Sequence, residues 1–179
     1  QAGSSGGEAE LVLNVTEIPE NGATYFYNSS NGHYYQYVDD PNVYATDAIS
    51  NSKGLSLFGT RGYLVTVTSE QENNFVAQKT GASNIWIGGS DLDVEGEWRW
   101  VDGPEAGTIF WNGAADGSSP AGQFASWSNG EPNNAYIADE PGRDKREHYV
   151  VTNWAGGGGS WNDLWNTAGD FFWERPSGY

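Results

Sequence analysis

Aromatic rings rather than aliphatic side chains must build most of this chain's core, because nine Trp, ten Tyr and seven Phe are strewn among 25 Gly and seven Pro. Rings set between turn-forming residues favour short strands and ordered loops over long helices. The sequence has no Cys, so packing alone must hold those loops, and zinc-thiolate sites and thiol nucleophiles are excluded. At 179 residues it fits one large domain with a sizeable core. With only His33 and His148 available, a three-His metal site is excluded and a His-based catalytic triad has little to draw on.

Charge narrows the partners. Twenty-four acidic against eight basic side chains give a formal charge of −16, which repels phosphate backbones and argues against nucleic acid. Cations are the natural partners, but solubility in a salty medium accounts for most single carboxylates, so only clustered ones point to a site. No apolar run approaches the roughly 20 residues that cross a bilayer, and no basic segment leads into an apolar stretch at the start. Membrane insertion is therefore not expected. A chain that begins at Gln1 and lacks Met reads as a piece of a larger multidomain protein.

Residues 1–10 are Gly, Ser, Ala and Glu and read as a flexible linker, with the domain spanning 11–179. Leu11 to Val15 reads as a first strand, and Tyr25 to Val38 as a hairpin around Ser29-Ser30-Asn31-Gly32. Tyr44 to Asn51 is expected to be helical and Tyr63 to Val67 a strand. Ser69 with Glu72 is a capping-box pattern opening a helix from Glu70 to Thr80, which Gly81 stops. Strands follow at Ile85 to Gly88 and Glu97 to Val101, and the last ones at Tyr149 to Val151 and Phe171 to Trp173. Between Asp102 and Asn134 the composition is that of a disordered segment, yet Phe110, Trp111, Phe124 and Trp127 mark a long loop pinned to a core. Such loops usually bind something.

Several phrases, in order, resemble the C-type lectin-like domain, in the form seen in bacterial, cysteine-free members of large surface adhesins. They are Gly62-Tyr63-Leu64-Val65-Thr66-Val67-Thr68-Ser69-Glu70, Trp86-Ile87-Gly88-Gly89, and Glu95-Gly96-Glu97-Trp98-Arg99-Trp100-Val101-Asp102-Gly103. Trp127, Gly130-Glu131-Pro132-Asn133-Asn134, Trp161-Asn162-Asp163 and Phe171-Phe172-Trp173-Glu174 complete the series. The resemblance implies an α+β C-type lectin-like fold with two short helices, antiparallel sheets and a long calcium-binding loop region. Tyr149 and Trp173 stand where the family usually has cysteines, so packing replaces those staples.

The same resemblance implies a calcium and sugar site on Glu131, Asn133, Glu147, Asn162 and Asp163, with Pro132 preceded by a cis bond that sets Glu131 and Asn133 on one side of the loop. All five offer the oxygens that a hard cation takes, about six to eight in number. Glu147 is assigned by its spacing ahead of Tyr149; Asp139, Glu140 and Asp144 of the 135–146 insert remain rival ligands. An accessory calcium would fall on Asp91, Glu95, Asn134 and His148, where only the first two are carboxylates, so weak calcium binding is expected there. Trp161 reads as core, His148 as structural and His33 as solvated, while Gly156 to Gly159 read as a mobile loop tip. Arg143, Lys145 and Arg146 are expected to pair with the acids of their own insert.

The function so implied is calcium-dependent binding of vicinal diols of the fucose, mannose or N-acetylglucosamine class, by an extracellular or cell-surface adhesion module. Two other classes compete. A glycosidase needs an acid and a nucleophile about 5 to 9 Å apart, but the carboxylates here cluster with Asn as metal ligands do, so no catalysis is expected. A protein- or ice-binding domain of the same fold usually lacks the Glu-Pro-Asn and Asn-Asp pairs that this chain keeps.

Overall fold

A computed structural model describes residues 17–20, 22–79, 81–136, 146–154 and 157–175. The linker at 1–10, the strand expected at Leu11 to Val15, and Asp139, Glu140, Arg143, Asp144 and Lys145 lie outside them. Along the chain run β1 (Glu17–Glu20), β2 (Ala23–Asn28), β3 (His33–Tyr44), α1 (Ala45–Gly54), β4 (Ser56–Leu57), β5 (Thr60–Arg61), β6 (Tyr63–Leu64) and α2 (Glu70–Ala77). The second half is β7 (Ile85–Ser90), β8 (Glu97–Trp100), β9 (Ile109–Asn112), β10 (Tyr149–Thr152), β11 (Asn162–Leu164) and β12 (Ala168–Arg175). Two short helices stand with sheets that are antiparallel except where β12 pairs with β7, the α+β arrangement that the sequence resemblance implies.

The main sheet runs β1-β2-β3-β12-β7-β10-β11, with β6 added to β12 and a β8-β9 hairpin on β7. The late strand β12 pairs antiparallel with β3 through Arg175↔Tyr34 to Ala168↔Tyr44, so the chain closes on its own beginning. β2 and β3 form the expected hairpin, and Gly32 N–H donates to Asn28 O at 2.8 Å across its turn. Strand β9 lies inside the stretch expected to be all loop. Only Ile109 to Asn112 carry it, and its partner β8 is what makes so short a segment extended.

Local chemistry explains both helices. Ser69 Oγ accepts the Glu72 N–H at 3.2 Å, as the capping pattern requires, while the Glu72 carboxylate reaches back to Thr68 N–H at 2.7 Å. α1 has no such cap of its own. Asn166, far along the chain, supplies it by accepting the Thr46 N–H at 3.3 Å, and Ala45, Ala48 and Ser52 form its buried face.

Trp86, Trp98, Trp100 and Trp161 are all at most 1% exposed. Trp100 stacks on Phe110 with centroids 4.2 Å apart, and Trp161 meets Trp100, Phe110, Phe124 and Trp127 edge-on at 5.7–6.0 Å. Each Trp of this kind removes roughly 200 Å² from water, about 5 kcal/mol as an upper figure. Tyr149, at one former cysteine position, is buried and sets its ring edge-on to Trp86 at 6.4 Å.

Candidate functional site

The aromatic core delivers the long loop to a defined place. Trp161 N–H donates to Ser126 O, Ser128 N–H donates to Trp161 O, both at 2.8 Å, and Glu131 N–H closes a turn onto Ser128 O at 3.0 Å. Asn73 on α2 holds the same junction from below. Its Oδ1 accepts the Trp161 indole N–H at 2.8 Å and its Nδ2 donates to Gly159 O at 2.8 Å. Nothing in the sequence marked Asn73, because an Asn in a short helix ordinarily reads as surface. Gly159 is buried, and its N–H donates to Asn153 Oδ1 at 3.1 Å, so this end of the Gly run is anchored rather than a mobile tip.

The Glu131–Pro132 peptide is cis, as expected. Beyond it, two successive amides turn onto one carboxylate: Asn133 N–H donates to Asp163 Oδ1 at 3.1 Å and Asn134 N–H to Asp163 Oδ2 at 2.7 Å. Asp163 is fully buried on β11, opposite Val150 of β10, and Asn162 precedes it opposite Val151. Glu147, 3% exposed just ahead of β10, accepts the Ala135 N–H at 2.9 Å. The strand pair and the cis-proline loop thus gather Glu131, Asn133, Glu147, Asn162 and Asp163 at one place.

This arrangement crowds negative charge. Burial, then the Asp163 charge, raises Glu131 to about 7, and a hydrogen bond from Glu131 to Asp163 needs a proton held between them. Burial also raises Glu147 to about 7; the Ala135 N–H opposes that rise, while the Asp163 and Glu131 charges add to it. Asp163 is raised as well, chiefly by burial, against the pull of the two amides.

Two oxygens show what would relieve the crowding. Glu131 Oε2 and Asn162 Oδ1 are buried with no hydrogen-bond partner, the latter because Asn162 Nδ2 is turned to Asp163 O at 2.7 Å. An orphaned oxygen on Glu131 and another on Asn162, together with the Glu147 and Asp163 carboxylates, are the donor types a hard cation takes, so the residues present fit calcium in chemistry, although among the described residues only Asp91, Glu95 and His148 bring three such ligand atoms within 4.8 Å of one another.

Beside this cluster lies another. Asp91, Glu95 and His148 bring ligand atoms within 4.8 Å of one another, and the Asn134 side chain hydrogen-bonds Glu95. At the foot of the insert, Tyr136 and Arg146 form an antiparallel bridge. Arg146 packs over the Tyr136 ring at 5.6 Å and donates to Asn134 O at 3.4 Å. No helix among the described residues is long and apolar enough to cross a membrane.

Comparison with known proteins identifies the family and the fold. The chain is 42% identical over 122 residues to halomucin of Haloquadratum walsbyi, covering 68% of this chain and 1% of halomucin. It is 31% identical over 105 residues to hepatic lectin of Gallus gallus, covering 59% of this chain and 39% of that one. It therefore spans well under two thirds of these curated relatives. Among solved structures, the C-type carbohydrate-recognition domain of cow CD23, determined in the presence of a GlcNAc2Man3 oligosaccharide, aligns with a TM-score of 0.60 at 22% identity, covering 92% of this chain and 96% of that one. Human lithostathine aligns equally well, with a TM-score of 0.60 at 20% identity over 96% and 99% of the two chains. The family model for the lectin C-type domain matches residues 58–165, from before β5 to just past β11, and this chain belongs to that family.

Proposed function

We propose that this domain is a calcium-dependent lectin module that binds glycans through vicinal hydroxyls of the fucose or mannose type. The observation that carries the reading is the pair of partnerless buried oxygens, Glu131 Oε2 and Asn162 Oδ1, within a cluster of carboxylates that repel one another until a cation joins them. Glu131, Asn133, Glu147, Asn162 and Asp163 are the residues that would hold it. Calcium, when bound, supplies a positive centre to which two neighbouring sugar hydroxyls add their oxygens.

The protein's own part is direction. Glu131 accepts a hydrogen bond from one sugar hydroxyl, and the Asn133 amide donates one to its neighbour. Asp163 fixes where both stand, by taking the backbone amides of residues 133 and 134. Asn133 is exposed, and its side chain hydrogen-bonds Glu131, which sets the two residues side by side where a ligand can reach them. Acceptor followed by donor suits equatorial neighbouring hydroxyls, as in mannose, glucose and N-acetylglucosamine, or the equivalent pair in fucose. Fucose ranks slightly ahead of mannose.

Kinship to halomucin and to other lectin domains supports an extracellular or cell-surface module of a larger protein, acting in adhesion. The family is generally non-enzymatic, and no catalysis is proposed. A glycan array read with calcium and with a chelator tests the whole reading. Chelator-sensitive signal on fucosylated or mannosylated glycans is expected; calcium-independent binding to a protein partner, or sugar release from oligosaccharides, would replace it with one of the rival functions.

A further inference from the structure

The neighbouring cluster does not fit the accessory calcium that the family would place there. His148 contributes an imidazole nitrogen, which a hard cation seeking oxygens accepts poorly. Two carboxylates remain, and both oxygens of Asp91 have partners: Oδ2 accepts the Gly96 N–H at 2.9 Å, and Oδ1 is hydrogen-bonded with His148 Nδ1 at 2.9 Å, a contact that a metal ion would have to replace. Imidazole combined with carboxylate is instead the donor set of zinc and its d-block neighbours.

The geometry agrees with the chemistry. His148 Nδ1 stands 2.9 Å from Asp91 Oδ1 and 4.0 Å from Glu95 Oε2. Ligand atoms around a tetrahedral zinc lie about 3.4 Å apart, given metal–ligand distances of about 2.0–2.2 Å, so the observed separations bracket what such an ion needs. Asp91 and His148 are 1% and 8% exposed, on opposite sides of a backbone hydrogen bond from Asp91 N–H to His148 O at 3.3 Å. The Gly96 amide fixes the Asp91 carboxylate as a supporting bond does in metal centres. A separate observation points to a ligand: Asn134 Oδ1 is buried with no hydrogen-bond partner, while the same side chain hydrogen-bonds Glu95.

We propose that Asp91, Glu95 and His148, completed by Asn134, bind a transition-metal cation of the zinc class in place of the accessory calcium. Such an ion would tie the turn after β7 to both feet of the insert, at Asn134 and at His148. The cross-link would stand next to Asn133 and Glu147 without involving either.

The chain has only His33 and His148, which makes the test clean. Zinc is titrated into the whole domain under saturating calcium, with calorimetry for affinity and side-chain nitrogen NMR for the two imidazoles; cobalt(II) replaces zinc for visible absorption. Zinc should shift the His148 ring nitrogens and leave those of His33 unmoved, and cobalt should give the absorption of a site with nitrogen ligation. His148→Gln and the exposed-site change Glu95→Gln should each weaken zinc at least about tenfold; His33→Gln should not. His148→Asp restores an all-oxygen set, so it should lose zinc affinity and gain one calcium per chain. Zinc affinity unchanged in both His148→Gln and Glu95→Gln, or an unmoved His148 resonance at zinc saturation, overturns the proposal. Because Glu95 is exposed, its variant decides the matter even if changes at His148 disturb the fold. None of these readouts depends on sugar binding.

Discussion

Glu72 and the carboxylates of the candidate calcium site, Glu131, Glu147 and Asp163, are all at least partly withdrawn from water, and they are handled in opposite ways. Around Glu72, 2% exposed on α2, donors converge: Tyr35 Oη at 2.5 Å and Asn31 Nδ2 at 3.1 Å on one oxygen, Thr68 N–H and hydroxyl at 2.7 and 3.0 Å on the other. That carboxylate is complete, and it rivets the β2-β3 turn to α2. Around Glu131, Glu147 and Asp163 the near neighbours include other acids, and Glu131 Oε2 finds no partner at all. A buried acid whose oxygens are all met by donors is structure; acids that crowd one another, with Glu131 Oε2 left unmet although Asp163 and Glu147 accept backbone N–H groups, are an incomplete coordination shell.

The largest expected effect tests the first half of that contrast. Glu72→Ala strips the acceptor from Tyr35, Asn31 and Thr68 together and should cost roughly 4 kcal/mol, independent of calcium. Urea unfolding with and without chelator measures it, and a cost that depends on calcium would erase the distinction between the two regions. The second half predicts the reverse. Calcium at a hundred times its dissociation constant should stabilise the domain by about 2.7 kcal/mol. Calorimetry of chelated and calcium-loaded protein reads this as a rise in Tm, and an unchanged Tm at millimolar calcium counts against the site.

The contrast was only half legible in the sequence. Ser69 and Glu72 lie three positions apart in the chain, so their mutual capping follows from local rules. What else Glu72 does depends on Tyr35 and Asn31, some forty residues away, and no local rule reaches them. The cis-proline loop and the Asn162-Asp163 pair were readable because each is a compact phrase. Glu147 was readable only as one acid among several, since its contact with Ala135 spans a 12-residue separation that spacing alone does not fix. Its rivals at 139, 140 and 144 lie outside the described residues. Strand β9 escaped for a related reason: Ile109 to Asn112 sit in a Gly-rich passage, and only pairing with β8 makes them extended. The cap of α1 by Asn166 crosses 120 residues and left no mark in the sequence at all.

A smaller effect should appear with pH. Glu131 and Glu147 stand at about 7 against an ordinary 4.5, so the metal-free native state binds more protons than the unfolded chain across that window. The sign follows: this contribution to metal-free stability is full below about 4.5, falls as pH rises, and is gone above about 7. Its size should be on the order of 2 kcal/mol once solvent screening is allowed for. Calcium should reverse the trend, because the ion needs the deprotonated carboxylates. Urea unfolding at pH 5 and pH 8, each with chelator and with calcium, gives four values whose ordering checks the claim. Metal-free protein equally stable at both pH values would mean the crowding is not felt.

The finest test separates the sugar from the metal. Glu131→Gln with Asn133→Asp exchanges acceptor and donor across Pro132 while leaving the same number of oxygens facing the cation. Calcium affinity should therefore change little, whereas the hydrogen-bond polarity offered to the two sugar hydroxyls is reversed. Fucose and mannose binding should weaken by at least about 1.4 kcal/mol, a tenfold loss, if each hydrogen bond has ordinary charge-assisted strength. Galactose, whose neighbouring hydroxyls are arranged differently, should gain relative to both. The exchange also removes a charge that faces Asp163 and places one at exposed Asn133, so metal-free stability at pH 8 should rise slightly rather than fall. Titration calorimetry of both proteins with the three sugars, under saturating calcium, reads all of this. An unmodified domain that prefers galactose, or a double variant that binds fucose as before, would place the sugar somewhere other than on Glu131 and Asn133.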